Sequence, residues 1–148
     1  MLSAAIGWWL HMPYKITEEE AGLLVSFTGF SVPYEFQEVA EAMAAHPDRM
    51  RHLYHFFDFT GIDSDSLFAI TTTIGETHAV RSREIFGESE YPKYTALISP
   101  SGKMQTVFET FIAGGPRPAG HEIKSFSTLM QARTWLRDRL DGPGGPAG

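Results

Sequence analysis

The stretch His52-Leu53-Tyr54-His55-Phe56-Phe57-Asp58-Phe59 decides the fold class. Apolar and aromatic side chains occupy both parities of this run, so a strand built from it has two faces to shield from water. Strands of that kind sit inside mostly parallel sheets with helices on each side, whereas a half-exposed strand alternates strictly. A central strand with helical layers above and below is the expectation from which the rest is read.

Upstream, Tyr14–Thr17 and Gly22–Thr28 read as two short strands around the acidic turn Glu18-Glu19-Glu20, with Leu23, Val25 and Phe27 on one face. Ser31-Val32-Pro33 opens a helix whose inward stripe is Phe36, Val39, Ala40 and Met43, and Pro47 stops it. Downstream, Leu67, Ile70 and Ile74 have helical spacing, but Thr71-Thr72-Thr73 lowers helix propensity. A helix from Ser64 to about Phe86, interrupted near Gly75, is expected there.

Tyr94–Ser99 reads as another buried strand, and Pro100-Ser101-Gly102 leads into a helix that Gly114-Gly115-Pro116 breaks. Glu122–Phe126 reads as a weaker edge strand. The last helix turns Leu129, Ala132, Leu136 and Leu140 inward and starts with the capping-box spacing Thr128…Gln131. The order ββαβααβαβα predicts an α/β single-domain sandwich. Its central sheet is mostly parallel, with about five strands, the N-terminal one antiparallel, flanked by about four to five helices.

The chain has 148 residues, 43% hydrophobic and 13% aromatic, which suits one domain with its own core and excludes disorder for the bulk. That domain is placed at residues 12–140. Residues 1–11 read as an N-terminal extension: Ala4-Ala5-Ile6-Gly7-Trp8-Trp9-Leu10 is far shorter than the ~20 residues that cross a bilayer. The two tryptophans leave a membrane-touching or partner-docking segment as the alternative. Residues 141–148, rich in Gly and Pro, read as a disordered tail.

Twelve basic against 18 acidic residues give a net charge of −6, which argues against nucleic acid as a partner. The absence of cysteine removes disulfides, thiolate metal sites and a cysteine nucleophile, and fits a cytoplasmic protein.

Four features in order carry a resemblance. They are the strand pair Tyr14–Phe27 closing on Thr28-Gly29, Asp58-Phe59-Thr60-Gly61-Ile62 after a buried strand, Lys93-Tyr94-Thr95-Ala96-Leu97-Ile98-Ser99, and Phe126…Ala132…Trp135-Leu136. Over residues 12–140 the chain resembles the STAS-like, SpoIIAA-like bacterial proteins, whose fold relates to anti-sigma-factor antagonists and to CRAL-TRIO-type lipid-binding domains. The resemblance implies a small non-enzymatic module that binds protein partners and is switched by phosphorylating a serine after the Asp-bearing strand. Carried over, that switch falls on Ser64 and Ser66 in Asp63-Ser64-Asp65-Ser66-Leu67. The family's Ser-Ser-Gly step is missing, and Asp63 and Asp65 would repel a phosphate; helix capping by Ser64 or Asp63 is the alternative reading.

Other candidates come from the residues themselves. Asp58, Thr60 and Asp63 stand at the carboxyl end of the central strand, where open α/β sheets bind ligands, though an Asx turn would use Asp58 equally well. Phe68, Met104, Phe108 and Phe111 would line an apolar groove between two helices or else belong to the core. Arg81 and Arg83 would meet an anionic head group or face solvent. No metal site is expected: His52 and His55 fall on opposite strand faces, His46 ends a helix, and His11, His78 and His121 are isolated. Ser101-Gly102-Lys103-Met104 lacks the features of a phosphate loop, no Gly-x-Ser-x-Gly elbow occurs, and neither a catalytic residue nor a cofactor is nominated. The reading is a non-catalytic module that binds a protein partner; a carrier of a small apolar ligand is the alternative, and an undetected hydrolase the third.

Overall fold

In a computed structural model, the residues described are 14–29, 33–62, 72–86, 91–114 and 120–142. The aromatic run becomes β3, Tyr54–Ile62, in the middle of a five-stranded sheet. On one side lie β2 (Gly22–Gly29) and then β1 (Tyr14–Glu18); on the other lie β4 (Tyr94–Ile98) and then β5 (Glu122–Phe126). β1 is antiparallel to β2, with Ile16 opposite Val25. All other pairings are parallel, with Leu23, His55, Thr95 and Ile123 in one row across the sheet.

The two parities of β3 serve two cores. Tyr54 and Phe56 join Tyr94, Ala96 and Ile98 beneath Ala132, Trp135 and Leu136 of α4, Leu129–Asp141. Phe57 and Phe59 face the other way, against Val39 and Met43 of α1 (Pro33–Ala44) and Met104, Val107 and Phe108 of α3 (Gly102–Ala113). Between these helices lies α2, Thr72–Phe86. Each parallel crossover between sequential neighbours turns the same way and delivers its helix to the same face. Among the described residues, α4 is the one helix that covers the other.

Gly114 sets the approach of α2 to α3. A Cβ on Gly114 would lie 2.1 Å from the Cβ of Ala79, which is buried, so glycine is required at that contact.

α2 corrects one expectation. It runs without a break through Gly75: one glycine costs a helix only about 1 kcal/mol relative to alanine, too little to interrupt it. The described residues accordingly hold four helices and one short 3₁₀ turn, Arg49–Arg51, and the expected helical start at Ser64 lies outside them.

The helix starts follow local chemistry. Ser101 Oγ accepts the Met104 amide at 3.3 Å. The expected capping box closes in both directions, with Gln131 N donating to Thr128 Oγ1 and Thr128 N to Gln131 Oε1, each at 3.2 Å.

β3 starts later than the sequence suggests and continues past Phe59. The register against β2 passes from Ser26↔Asp58 to Thr28↔Gly61, which inserts one extra residue in β3. Asp58 Oδ1 accepts both the Thr60 amide, at 2.9 Å, and the Thr60 hydroxyl. The extra residue returns Ile62 to the face of Phe59, where both pack on the same cores.

Candidate functional site

The carboxyl end of the sheet is where β3 outgrows its neighbour. β4 pairs with Tyr54–Asp58 only, so Phe59–Ile62 project with β2 alone. The projection is braced from within: the Phe59 ring stacks on Phe27 at 4.5 Å and 4°, and Phe36 meets both edge-on. Gly61 lies so close to β2 that a Cβ there would come within 2.9 Å of Thr28 Cγ2. Gly29 ends β2 at φ +66°, in the left-handed region. Thr60 and Gly61 are exposed at the tip.

Of the sequence-predicted residues here, Asp58 and Thr60 come together and are joined to each other in an Asx-type turn. Asp63, Ser64, Ser66 and Phe68 lie outside the described residues. Met104 and Phe108 are buried in the core with Leu97 and Val107, and Phe111 packs at its margin. Arg81 bridges to Glu84 at 3.0 Å and to Glu41 of α1 at 3.3 Å, so it ties two helices. Hydrogen bonds from Gln37 and then Arg81 hold the Glu41 carboxyl below its ordinary range. Arg83 follows two positions later, on a different side of the helix.

The amino end of the sheet gathers chemistry that sequence reasoning missed. Glu18, Glu19 and Glu20 read as one acidic turn, yet the first two serve opposite faces. Glu19 accepts two hydrogen bonds from Arg133 of α4, at 3.1 and 2.7 Å, and a third from the Tyr54 hydroxyl. Arg133 first, and Tyr54 after it, hold the Glu19 carboxyl below its usual range against the opposing effect of burial. Burial, then the Glu19 hydrogen bond, pushes the Tyr54 phenol up to about 12.

Glu18 turns to the other face and meets two histidines. His46 follows α1 in a tight reversal: its amide donates to Met43 O, its Nδ1 accepts the Asp48 amide at 3.0 Å, and Arg51 N donates to Asp48 O. The reversal brings His52 back beside it, with ring centroids 4.6 Å apart at 67°. His52 Nε2 lies 3.4 Å from Glu18 Oε1, and His46 Nε2 lies 3.6 Å from Glu18 Oε2.

The expectation that His52 and His55 occupy opposite faces fails. His52 precedes the strand, with its amide bonded to Arg49 O, so strand alternation does not govern it. Its ring lies 6.3 Å from that of His55. Burial, with His52, His121 and Arg49 nearby, lowers His55 to about 3 and keeps it neutral. His121 Nε2 approaches Thr95 Oγ1 at 3.3 Å on the same side. The signals available in the sequence were the acidic run at a strand end and His46 before a proline; neither reveals that a reversal of the chain superposes them.

Compared with known proteins, the chain matches no family model and no curated relative. No helix among the described residues is long and apolar enough to cross a membrane.

Proposed function

We propose that the chain is a non-catalytic, cytoplasmic STAS-like module that works by binding a protein partner at the carboxyl end of β2 and β3. The observation that supports this most is the projection of Phe59–Ile62 beyond β4. It is an aromatic-braced ribbon whose tip carries the small, exposed Thr60 and Gly61, a form that suits recognition by a partner's extended segment. Asp58 supports the same reading, because its Oδ1 is engaged by Thr60. The apolar-ligand alternative draws less support, since Met104 and Phe108 are already enclosed by core neighbours.

The test is a photo-crosslinking residue placed at Thr60, with Arg137 on the exposed side of α4 as the comparison site. In extracts of the source cells, a discrete adduct from position 60 that unlabelled chain competes away, and none from position 137, is the expected result. Equal labelling at both sites, or none at either, overturns the proposal.

A further inference from the structure

Glu18, His46 and His52 each place one ligand atom within 4.8 Å of the others, the group of this kind found among the described residues. We propose that these three side chains bind a divalent transition ion of the zinc class through Nε2 of His46, Nε2 of His52 and the Glu18 carboxylate.

The distances favour coordination over hydrogen bonding. N–H···O bonds centre at about 2.9–3.0 Å, and the two contacts of Glu18 with the imidazoles are longer, at 3.4 and 3.6 Å. Donors held about 2.0–2.1 Å from a tetrahedral ion stand roughly 3.3–3.4 Å apart. Both separations are thus near the edge length of a coordination polyhedron. The two rings meet edge to face at 67°, and both Nε2 atoms lie against one carboxylate.

The donor set decides the class of ion. Two imidazoles with one carboxylate suit zinc and its first-row neighbours, whereas calcium and magnesium require mainly oxygen. Glu18 is half exposed, which gives the ion an entry path and leaves a position for water. The ligands come from the end of β1, the connection after α1 and the approach to β3, so a bound ion would fasten the first hairpin to that connection.

Ligation through Nε2 moves each imidazole proton to Nδ1. In His52 that atom is buried with no partner among the described residues. In His46 it accepts the Asp48 amide, a contact the ion must displace. The affinity therefore belongs in the micromolar range rather than the nanomolar.

The experiment is calorimetric titration of the chelator-stripped full chain with zinc chloride, repeated with cobalt(II) to record the ligand-field spectrum. One ion per chain is expected at neutral pH. Glu18→Gln and His46→Ala, at accessible positions that leave the core intact, should each weaken binding by more than about tenfold, the scale set by losing even an outer-shell partner. His121→Ala should not. Zinc binding that survives both Glu18→Gln and His46→Ala reveals an adventitious ion on other histidines and overturns the proposal, as does the absence of binding to the unaltered chain. Circular dichroism of each variant separates loss of the site from loss of the fold.

Discussion

Arg133 grips Glu19 across 114 positions of sequence, through two hydrogen bonds of 3.1 and 2.7 Å. The pair fastens the turn between β1 and β2 to α4, and the guanidinium also lies 5.5 Å from the centroid of the Phe56 ring. Arg133→Ala is expected to destabilise the chain by about 1–2 kcal/mol, toward the lower end because the Arg133 side chain is 40% exposed and solvent screens the pair. Urea denaturation of the two chains checks it. Arg133→Lys should recover only part of the loss, since an ammonium cannot make the paired bonds.

Acid should weaken the fold through His55. The folded chain holds it at about 3 against an ordinary 6.5, chiefly by burial, so between these values the unfolded chain carries a proton that the folded chain lacks. Stability is then fully present above 6.5 and falls as pH drops toward 3, by at most ~1.4 kcal/mol per pH unit from this group. Glu19 acts in the same direction: its carboxyl is lowered in the fold, so its contribution is present above the unfolded value and is lost as pH falls through the folded one. Urea midpoints across this range should slope with pH in the native chain. The slope should be shallower in His55→Leu; an unchanged slope would remove His55 as its source.

Gly114→Ala tests the contact of α2 with α3. The added methyl collides with Ala79 Cβ at 2.1 Å, and overpacking of this kind costs about 1–3 kcal/mol. Thermal melts of Gly114→Ala and of Gly114→Ala with Ala79→Gly measure it. The second change should restore part of the loss by making room.

Much of the architecture was legible because it follows from local chemistry. Both parities of β3 were apolar, and both parities are buried by different helices. Thr128 and Gln131 announced the start of α4 at the correct residue. Gly75 misled, because a glycine weakens a helix interior but by too little to break α2, which continues through it.

The amino-end cluster was illegible for a different reason. Alternation predicts which face a residue takes only while the chain runs in a ladder, and His52 sits in the turn before it. The sequence could not show that Glu18 would meet a residue 34 positions away. The projecting ribbon was half visible: Asp58 and Thr60 were identified, but the extra residue that keeps Ile62 inward depends on pairing with β2.

The strand order β1-β2-β3-β4-β5 repeats the order of synthesis. Every strand emerging from the ribosome meets an edge already laid down by the one before it, and none must be threaded between two finished neighbours. The sheet can therefore assemble by accretion, with the smaller loop-closure cost that attends pairing between successive segments. α4 follows all five strands, and until it docks the face of Tyr54, Phe56, Tyr94 and Ile98 lacks the helix that covers it. For a chain growing at about 5–20 residues per second, that unfinished face is a hazard of a few seconds, the interval in which nascent chains aggregate.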